Sequence, residues 1–459
     1  MTAPLILGTN SIKDEGYEVA NSVRLDSTST AYLSRTVNLT QGTTSQHKFT
    51  ISCWFKLGKT GQTNGEIFGA HGSNDYFAVR VQNGNKIDII SYDNATKGRL
   101  TTTQLLRDHS AWYHIVVACD SNNASGTNRM RLYLNGSEVT DFSTDTNPSS
   151  GADIIAENMD EFNIGRNIDQ VGGAGLFDGY ITEFVYIDND QLEPSYFGEF
   201  DEDTGIWKPK DLSELSQLSN TFSFYLDFED SSNLGNDVSG NNLDFTSNNL
   251  TSIDQTTDTP TNNYCTLNPL YPVTTFSYSD GNCKGTSSSS YKGTARGTIG
   301  IQDSGKWFFE VKITSSDGSG VGISAEDMDA NTWQPSSGTF VIYLNSGNKV
   351  VNGTSTSYGA TYGDGDIIGV AYNSDDAEIT FYKNGVSQGT ITGLTTGKVM
   401  FPSISDTSTS GDAIFECNFG NPTFTISSGN SDGNGFGNFE YAPPTNYFSL
   451  CSSNLAEYG

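Results

Sequence analysis

Hydrophobic and polar residues alternate along this chain in short runs bounded by clusters of Gly, Asn and Asp, which is the pattern of β-strands with one buried face. Phe49, Ile51, Cys53 and Phe55 share one face of such a run, and Tyr113, Ile115, Val117 and Cys119 share one face of another. Met130, Leu132 and Leu134 alternate into Asn135-Gly136, a dipeptide that tolerates both positive φ angles of a type I′ turn, so a hairpin is expected there. An apolar strand over 177–186 closes this region, with a short helical turn expected over 193–200. A second set of alternations follows: Trp307, Phe309, Val311 and Ile313, then Phe340, Ile342 and Leu344, then 367–370, then Ile379 and Phe381 leading into the turn Asn384-Gly385. Between the two sets, residues 201–265 begin acidic, pass a short amphipathic stretch at 211–218 and end in a polar run at 254–260. A strand at 224–228 and a turn into a strand at 237–245 are expected to pack as a small hairpin on a neighbouring sandwich. The pattern predicts an all-β chain of two antiparallel β-sandwiches. Its parts are an N-terminal arm (1–15), a first sandwich (16–200), a connector with a short helix and hairpin (201–265), and a second sandwich with a C-terminal extension (266–459).

Composition narrows the function classes. The 459 residues are enough for about three domains. With 24 Lys and Arg against 54 Asp and Glu the net charge is −30, which repels a phosphate backbone and argues against nucleic-acid binding. No apolar run approaches the ~18 residues of a membrane span, and no basic segment precedes an apolar one at the start, so neither membrane insertion nor a secretion signal is expected. The six cysteines show no C-x-x-C spacing and are expected to be reduced thiols.

Four ordered motifs, Phe49-Thr50-Ile51-Ser52-Cys53-Trp54-Phe55-Lys56, Trp112-Tyr113-His114-Ile115-Val116-Val117, Leu132-Tyr133-Leu134-Asn135-Gly136 and Phe177-Asp178-Gly179-Tyr180-Ile181-Thr182-Glu183, give the first region its family likeness. It resembles the laminin-G-like, concanavalin-A-like jelly roll, a fold that hosts lectins, adhesion modules, glucanases and capsid parts. The later set Gly305-Lys306-Trp307-Phe308-Phe309-Glu310-Val311, Gly320-Val321-Gly322-Ile323, Tyr362-Gly363-Asp364-Gly365-Asp366-Ile367-Ile368-Gly369-Val370 and Ile379-Thr380-Phe381-Tyr382-Lys383-Asn384-Gly385 resembles the SPRY domain. The phrase Pro260-Thr261-Asn262-Asn263-Tyr264-Cys265 is echoed by Pro444-Thr445-Asn446-Tyr447-Phe448 with Cys451 just beyond, and the two copies bracket the SPRY-like unit as if it were a cassette.

Chemistry is sparse. The four histidines, His47, His71, His109 and His114, all fall in the first sandwich, and none forms a zinc or nucleophile-and-base pattern. Glucanases of the same jelly roll use paired glutamates flanking an aspartate; the nearest run here, Glu199-Phe200-Asp201-Glu202-Asp203, is one residue type off. The expectation is that the chain is not an enzyme. Asp227, Asp237, Asn241 and Asp244 form the most concentrated set of oxygen ligands and are the candidate calcium site, although the same residues are ordinary turn formers. The loop aromatics Trp333, Tyr358 and Tyr362 are the candidate ligand contacts, suited to stacking on sugar faces or equally to packing a sandwich end.

The domain combination looks like a virion protein of a tailed phage. The resemblance implies a tail-fibre or capsid-appendage subunit that packs on other virion proteins and adheres to a host surface glycan or protein through its loops. A decoration or connector protein without host binding, and a glycan depolymerase, are the alternatives.

Overall fold

The structure is a computed structural model that describes residues 16–459 except 38–45, 73–74, 83, 156–158, 168–174, 272, 274, 289–291, 303 and 330–337. The N-terminal arm assigned to 1–15 lies outside the described residues. The chain is almost entirely antiparallel β-structure and divides into two compact units at 261/262.

In the first unit one sheet runs β10 (Ser137–Glu138), β9 (Met130–Leu134), β8 (Trp112–Asp120), β3 (Lys48–Leu57), β13 (Gly179–Asp188), β1 (Ser22–Leu25), β18 (Gln255–Thr256), with β16 (Phe224–Leu226) also laid against β13. The other runs β11 (Phe142–Thr146), β7 (Thr96–Thr102), β6 (Lys86–Asp93), β5 (Asp75–Gln82), β4 (Gly65–Gly72), β12 (Met159–Ile164), β2 (Tyr32–Thr36), β17 (Thr246–Asn248). Phe49, Ile51, Cys53 and Phe55 meet Phe68, Phe77, Val79 and Ile89 between the sheets, on the faces that the alternation assigned. Asn135 and Gly136 take φ of +47° and +77° and turn β9 into β10 as the dipeptide predicts.

The 201–261 stretch is not a connector. Its strands β16 and β18 extend the first sheet and β17 the second, so the expected hairpin of 224–228 with 237–245 does not form. The physical reason lies in β8 and β13, which are buried almost end to end and carry apolar residues on the outer face as well as the inner. Their outer faces need a cover. Val116, Ala118, Val185 and Ile187, pointing away from the sandwich core, are dried by Leu192, Phe197, Leu212, Leu218 and Tyr225. The helical turn expected over 193–200 is only the single turn Pro194–Tyr196, followed by a separate two-stranded sheet of β14 (Gly198–Phe200) and β15 (Trp207–Pro209). At the far end of the cover a buried ion pair fixes the chain: Lys56 Nζ lies 2.8 Å from Asp258 Oδ2 with both side chains 1% exposed, and the Trp112 indole N–H donates to Asp258 Oδ1 at 3.0 Å.

The second unit packs the sheet β19 (Phe276–Ser279), β20 (Lys284–Ser287), β31 (Ala413–Asn418), β22 (Lys306–Ser316), β27 (Ile367–Asn373), β28 (Glu378–Lys383), β29 (Val386–Ile391) on the sheet β21 (Gly293–Arg296), β30 (Met400–Asp406), β23 (Ser319–Ala325), β24 (Phe340–Leu344), β25 (Asn348–Val351), β26 (Thr354–Ser357). A short strand, β32 (Phe448–Ser449), adds parallel to β22, and helix α1 (Ser452–Tyr458) ends the chain. Trp307, Phe309, Val311 and Ile313 enter the core as expected. Phe340, Ile342 and Leu344 do not: Val341 and Tyr343 fill the core, while the three expected residues form a separate cluster with Met328 and Val350 on the opposite face. Every residue of β24 is apolar, so a period of two cannot choose which face turns inward. The echoed phrase closes the unit, because Cys265 N–H donates to Leu450 C=O at 2.9 Å and Ser452 N–H to Asn263 C=O at 2.8 Å.

This unit also covers an outer sheet face, here with its C-terminal segment. Phe439 and Tyr447 pack on Phe308, Ala371 and Tyr382, and the buried Glu310 carboxylate accepts the backbone N–H groups of Glu440 (2.9 Å) and Tyr441 (2.8 Å). A counterpart in the first unit is Glu183, at a bulge in β13 with φ of +50°, whose carboxylate accepts from Tyr225 Oη at 2.8 Å. Burial pushes Glu183 up to about 8 and Glu310 up to about 7, against the hydrogen bonds that pull each down.

Two outcomes follow from these anchors. Asp258→Ala strands the Lys56 ammonium and destabilises the first unit by about 3–5 kcal/mol, whereas Lys56→Met with Asp258→Leu recovers most of the loss; chemical denaturation of the chain measures both. A carboxyl whose folded pKa is raised binds more protons in the folded state, so its contribution is full below about 4.5 and is lost as pH rises towards 7 for Glu310 and 8 for Glu183. Melting curves from pH 4.5 to 8 are expected to show stability falling with pH, and Glu310→Gln to flatten the fall below pH 7 even where its overall stability is lower.

Candidate functional site

Each residue singled out in the sequence has a definite place, apart from Trp333, which lies outside the described residues. Tyr362 is 5% exposed, with its hydroxyl 3.0 Å from Ser319 C=O and 2.9 Å from Tyr343 C=O. It is a core residue, its phenol pushed above the ordinary range by burial, and it offers no face to a ligand. Tyr358 is half-buried, packed edge-on against Tyr343 (5.4 Å) and Phe381 (6.0 Å), and its hydroxyl donates to Gly389 C=O. The two tyrosines plug a sandwich end, the packing role that the aromatic content of those loops equally allowed.

The four acids and amides proposed for calcium form a hydrogen-bonded turn. Asp237 Oδ1 accepts from the N–H groups of Tyr225 (3.0 Å) and Ser239 (2.9 Å), and Oδ2 from Ser239 Oγ (2.9 Å) and Leu243 N–H (2.8 Å). Asp244 Oδ1 accepts from Asp237 N–H at 2.9 Å, and Asp227 Oδ1 from Glu229 N–H at 3.0 Å. Asn241 points its amide nitrogen at the carbonyls of Leu218, Asn220 and Ser223 (2.8, 2.9 and 2.8 Å). The lone pairs that a cation would take from Asp237 are already engaged by N–H and O–H donors. Among the described residues no group of three or more His, Cys, Asp and Glu is arranged to hold a metal ion.

His114 is locked as a neutral ring. Trp207 donates its indole N–H to His114 Nδ1 at 3.0 Å, so Nε2 carries the proton and donates to Ser52 Oγ at 2.9 Å. Burial pushes its pKa down to about 3.

What the sequence did not reveal is a polar array on the second sheet of the first unit, facing away from the core. Phe68, Ala70, Phe77, Val79, Ile87, Ile89 and Leu100 point inward from β4 to β7, so the intervening residues share the outer face. Strand register aligns Glu66, Arg80, Asp88 and Thr101 in one row, Asn163, Gly69, Ala78, Ile90 and Arg99 in the next, and Glu161, His71, Tyr76 and Tyr92 in a third. Asp88 is fully buried and accepts from Arg80 Nε (2.9 Å), Arg99 Nε (2.9 Å), Gln82 Nε2 (3.0 Å) and Thr101 Oγ1 (2.5 Å). Glu66 Oε1 and His71 Nε2 meet at 2.6 Å above Gly69, where a Cβ would lie 1.9 Å from the carboxylate oxygen. Gly69 is therefore required by the close approach of that pair. Beside it Asn163 is 0% exposed and has no partner for either amide atom among the described residues. Half-buried Tyr76 and Tyr92 stack at 5.3 Å. The acids, the imidazole and the amide of this array are buried, Glu66, Asp88 and Asn163 at 0% and His71 at 1% exposed, and it is the half-buried Tyr76, Tyr92 and Arg99 that it presents to solvent. Each strand alone shows only ordinary alternation; the array exists only after the register is set.

Comparison with known proteins agrees with the two-sandwich architecture. Residues 28–192 match the family described as the concanavalin A-like lectin/glucanases superfamily, and residues 306–421 match the SPRY domain. Among solved structures, the SPRY domain of human HERC1 aligns at 21% identity over 29% of this chain and 86% of its own, with a TM-score of 0.27. A human SPRY domain aligns at 18% identity over 29% of this chain and 91% of its own (TM-score 0.24), and the TRIM65 PSpry domain at 14% over 33% and 87% (TM-score 0.28). The chain thus carries a laminin-G-like, concanavalin-A-like sandwich followed by a SPRY domain.

Proposed function

We propose that this chain is a non-catalytic adhesion subunit of a tailed-phage particle, which holds a host-surface glycan on the outer face of the second sheet of its first sandwich. The observation that carries the reading is the half-buried, stacked Tyr76–Tyr92 pair on that face. Pyranose rings stack on aromatic faces of this kind. The net charge of −30 suits a neutral or cationic glycan better than an acidic one. Placement on a virion, among other virion proteins, is carried over from the combination of domains. The decoration reading keeps support from the exposed apolar residues near β14, considered below.

Tyr76→Ala with Tyr92→Ala is expected to weaken binding to a glycan array or to host cells by about tenfold, equivalent to about 1.4 kcal/mol, with the melting curve little changed. Unaltered binding overturns the site. Antibody-gold labelling of particles tests the placement: label at fibre tips supports adhesion, label over the shell favours decoration, and absence of label overturns the virion reading.

A further inference from the structure

The motif Glu199-Phe200-Asp201-Glu202-Asp203 is built into the hairpin of β14 and β15, and this hairpin concentrates the apolar surface of the first unit. Tyr196 (44%), Phe200 (51%) and Ile206 (49%) are three of the five large hydrophobic residues that stand exposed among the described residues. Phe200 lines an open groove of about 460 Å³ together with Pro194, Ser195, Glu199, Trp207 and Lys210, and Tyr196 and Ile206 are the chain neighbours of Ser195 and Trp207.

The floor of this groove is rigid. Trp207 is held by its hydrogen bond to His114, by the edge of Phe200 at 4.9 Å, and by Gly136 and Gly198, where a Cβ would come within 2.3 and 2.6 Å of the indole. A fixed indole beside an exposed phenyl ring presents a preformed aromatic platform, which binds without first being ordered. The rim is acidic. Glu199, Asp201, Glu202 and Asp203 outnumber Lys208 and Lys210; Asp201 is taken up in capping the turn, accepting from Thr204 N–H at 2.9 Å, and in pairing with Lys208 at 3.3 Å. Glu202 and Asp203 stand exposed at the tip.

We infer that this hairpin docks a basic segment of a partner protein, an apolar residue entering the groove and a flanking Lys or Arg lying over Phe200 and pairing with Glu199, Glu202 or Asp203. An apolar patch with a charged rim is the anatomy of a protein interface, and the rim selects a partner of opposite sign. Cations are also drawn to the faces of Trp and Phe. The inference uses none of the residues assigned to the glycan, so either can fail while the other stands.

The test is selection of a random dodecapeptide display library on the immobilised full chain. Peptides retained by the native chain but lost on Phe200→Ala are expected to carry net positive charge and an apolar residue. Their binding should weaken at least tenfold in Glu202→Lys with Asp203→Lys, a charge reversal at exposed positions that leaves the melting curve unchanged. Acidic or neutral peptides, or none that depends on Phe200, overturn the inference. So does a loss of oligosaccharide binding in Phe200→Ala with no effect on any peptide, which would make the groove a sugar site.

Discussion

The constraint on which both units depend is that one sheet in each must be buried on both faces. A sandwich solves this for the inner faces by packing sheet on sheet. Apolar residues remain on the outer faces, Val116, Ala118, Val185 and Ile187 in the first unit and Phe308 and Ala371 in the second, and water would cover them at a cost of about 25 cal/mol for each Å² left exposed. The chain responds in the same way twice, by folding its next segment back over the open face: Leu192 to Tyr225 in the first unit, Phe439 and Tyr447 in the second. What reads as linker in sequence is the third layer of a three-layer structure.

A cover made largely of irregular chain has few ladder hydrogen bonds to hold it, and polar anchors take their place. Asp258 is tied to Lys56 and Trp112, Tyr225 to Glu183, and the backbone at 440 and 441 to Glu310. Each anchor is a charged or chargeable group set in a buried part of a sheet face, where an unpaired partner is expensive and a paired one fixes position. Glu183 shows the cost most directly, since it holds a left-handed backbone conformation at a bulge that turns its carboxylate towards the cover.

Much of the architecture was legible because period-two alternation and the Asn-Gly turns are local signals. Phe49 to Phe55 and Trp307 to Ile313 face the cores that their spacing assigns, and the turns at Asn135-Gly136 and Asn384-Gly385 carry the positive φ angles those pairs favour. The errors fall where locality fails. The strand Phe340–Leu344 is apolar throughout, so its facing is decided by neighbours. Tyr362 resembles an exposed loop aromatic until the carbonyls of Ser319 and Tyr343 are seen to close on its hydroxyl. Asp237 has the composition of a calcium ligand and the hydrogen bonds of a turn. The array of Glu66, His71 and Asn163 could not be read in advance, because two strands far apart in sequence, β4 and β12, contribute to it and pairing alone brings them together.

The side-by-side pairing of residues 263–265 with 450–452 sets how the second unit keeps its margins. The start and the close of the unit hold each other, and beyond this pairing Leu455 and Tyr458 stay packed on the core. Neither margin can fray without loosening the other, so a chain cut before Leu450 would lose the grip on its own entry at 263–265 together with its last helix.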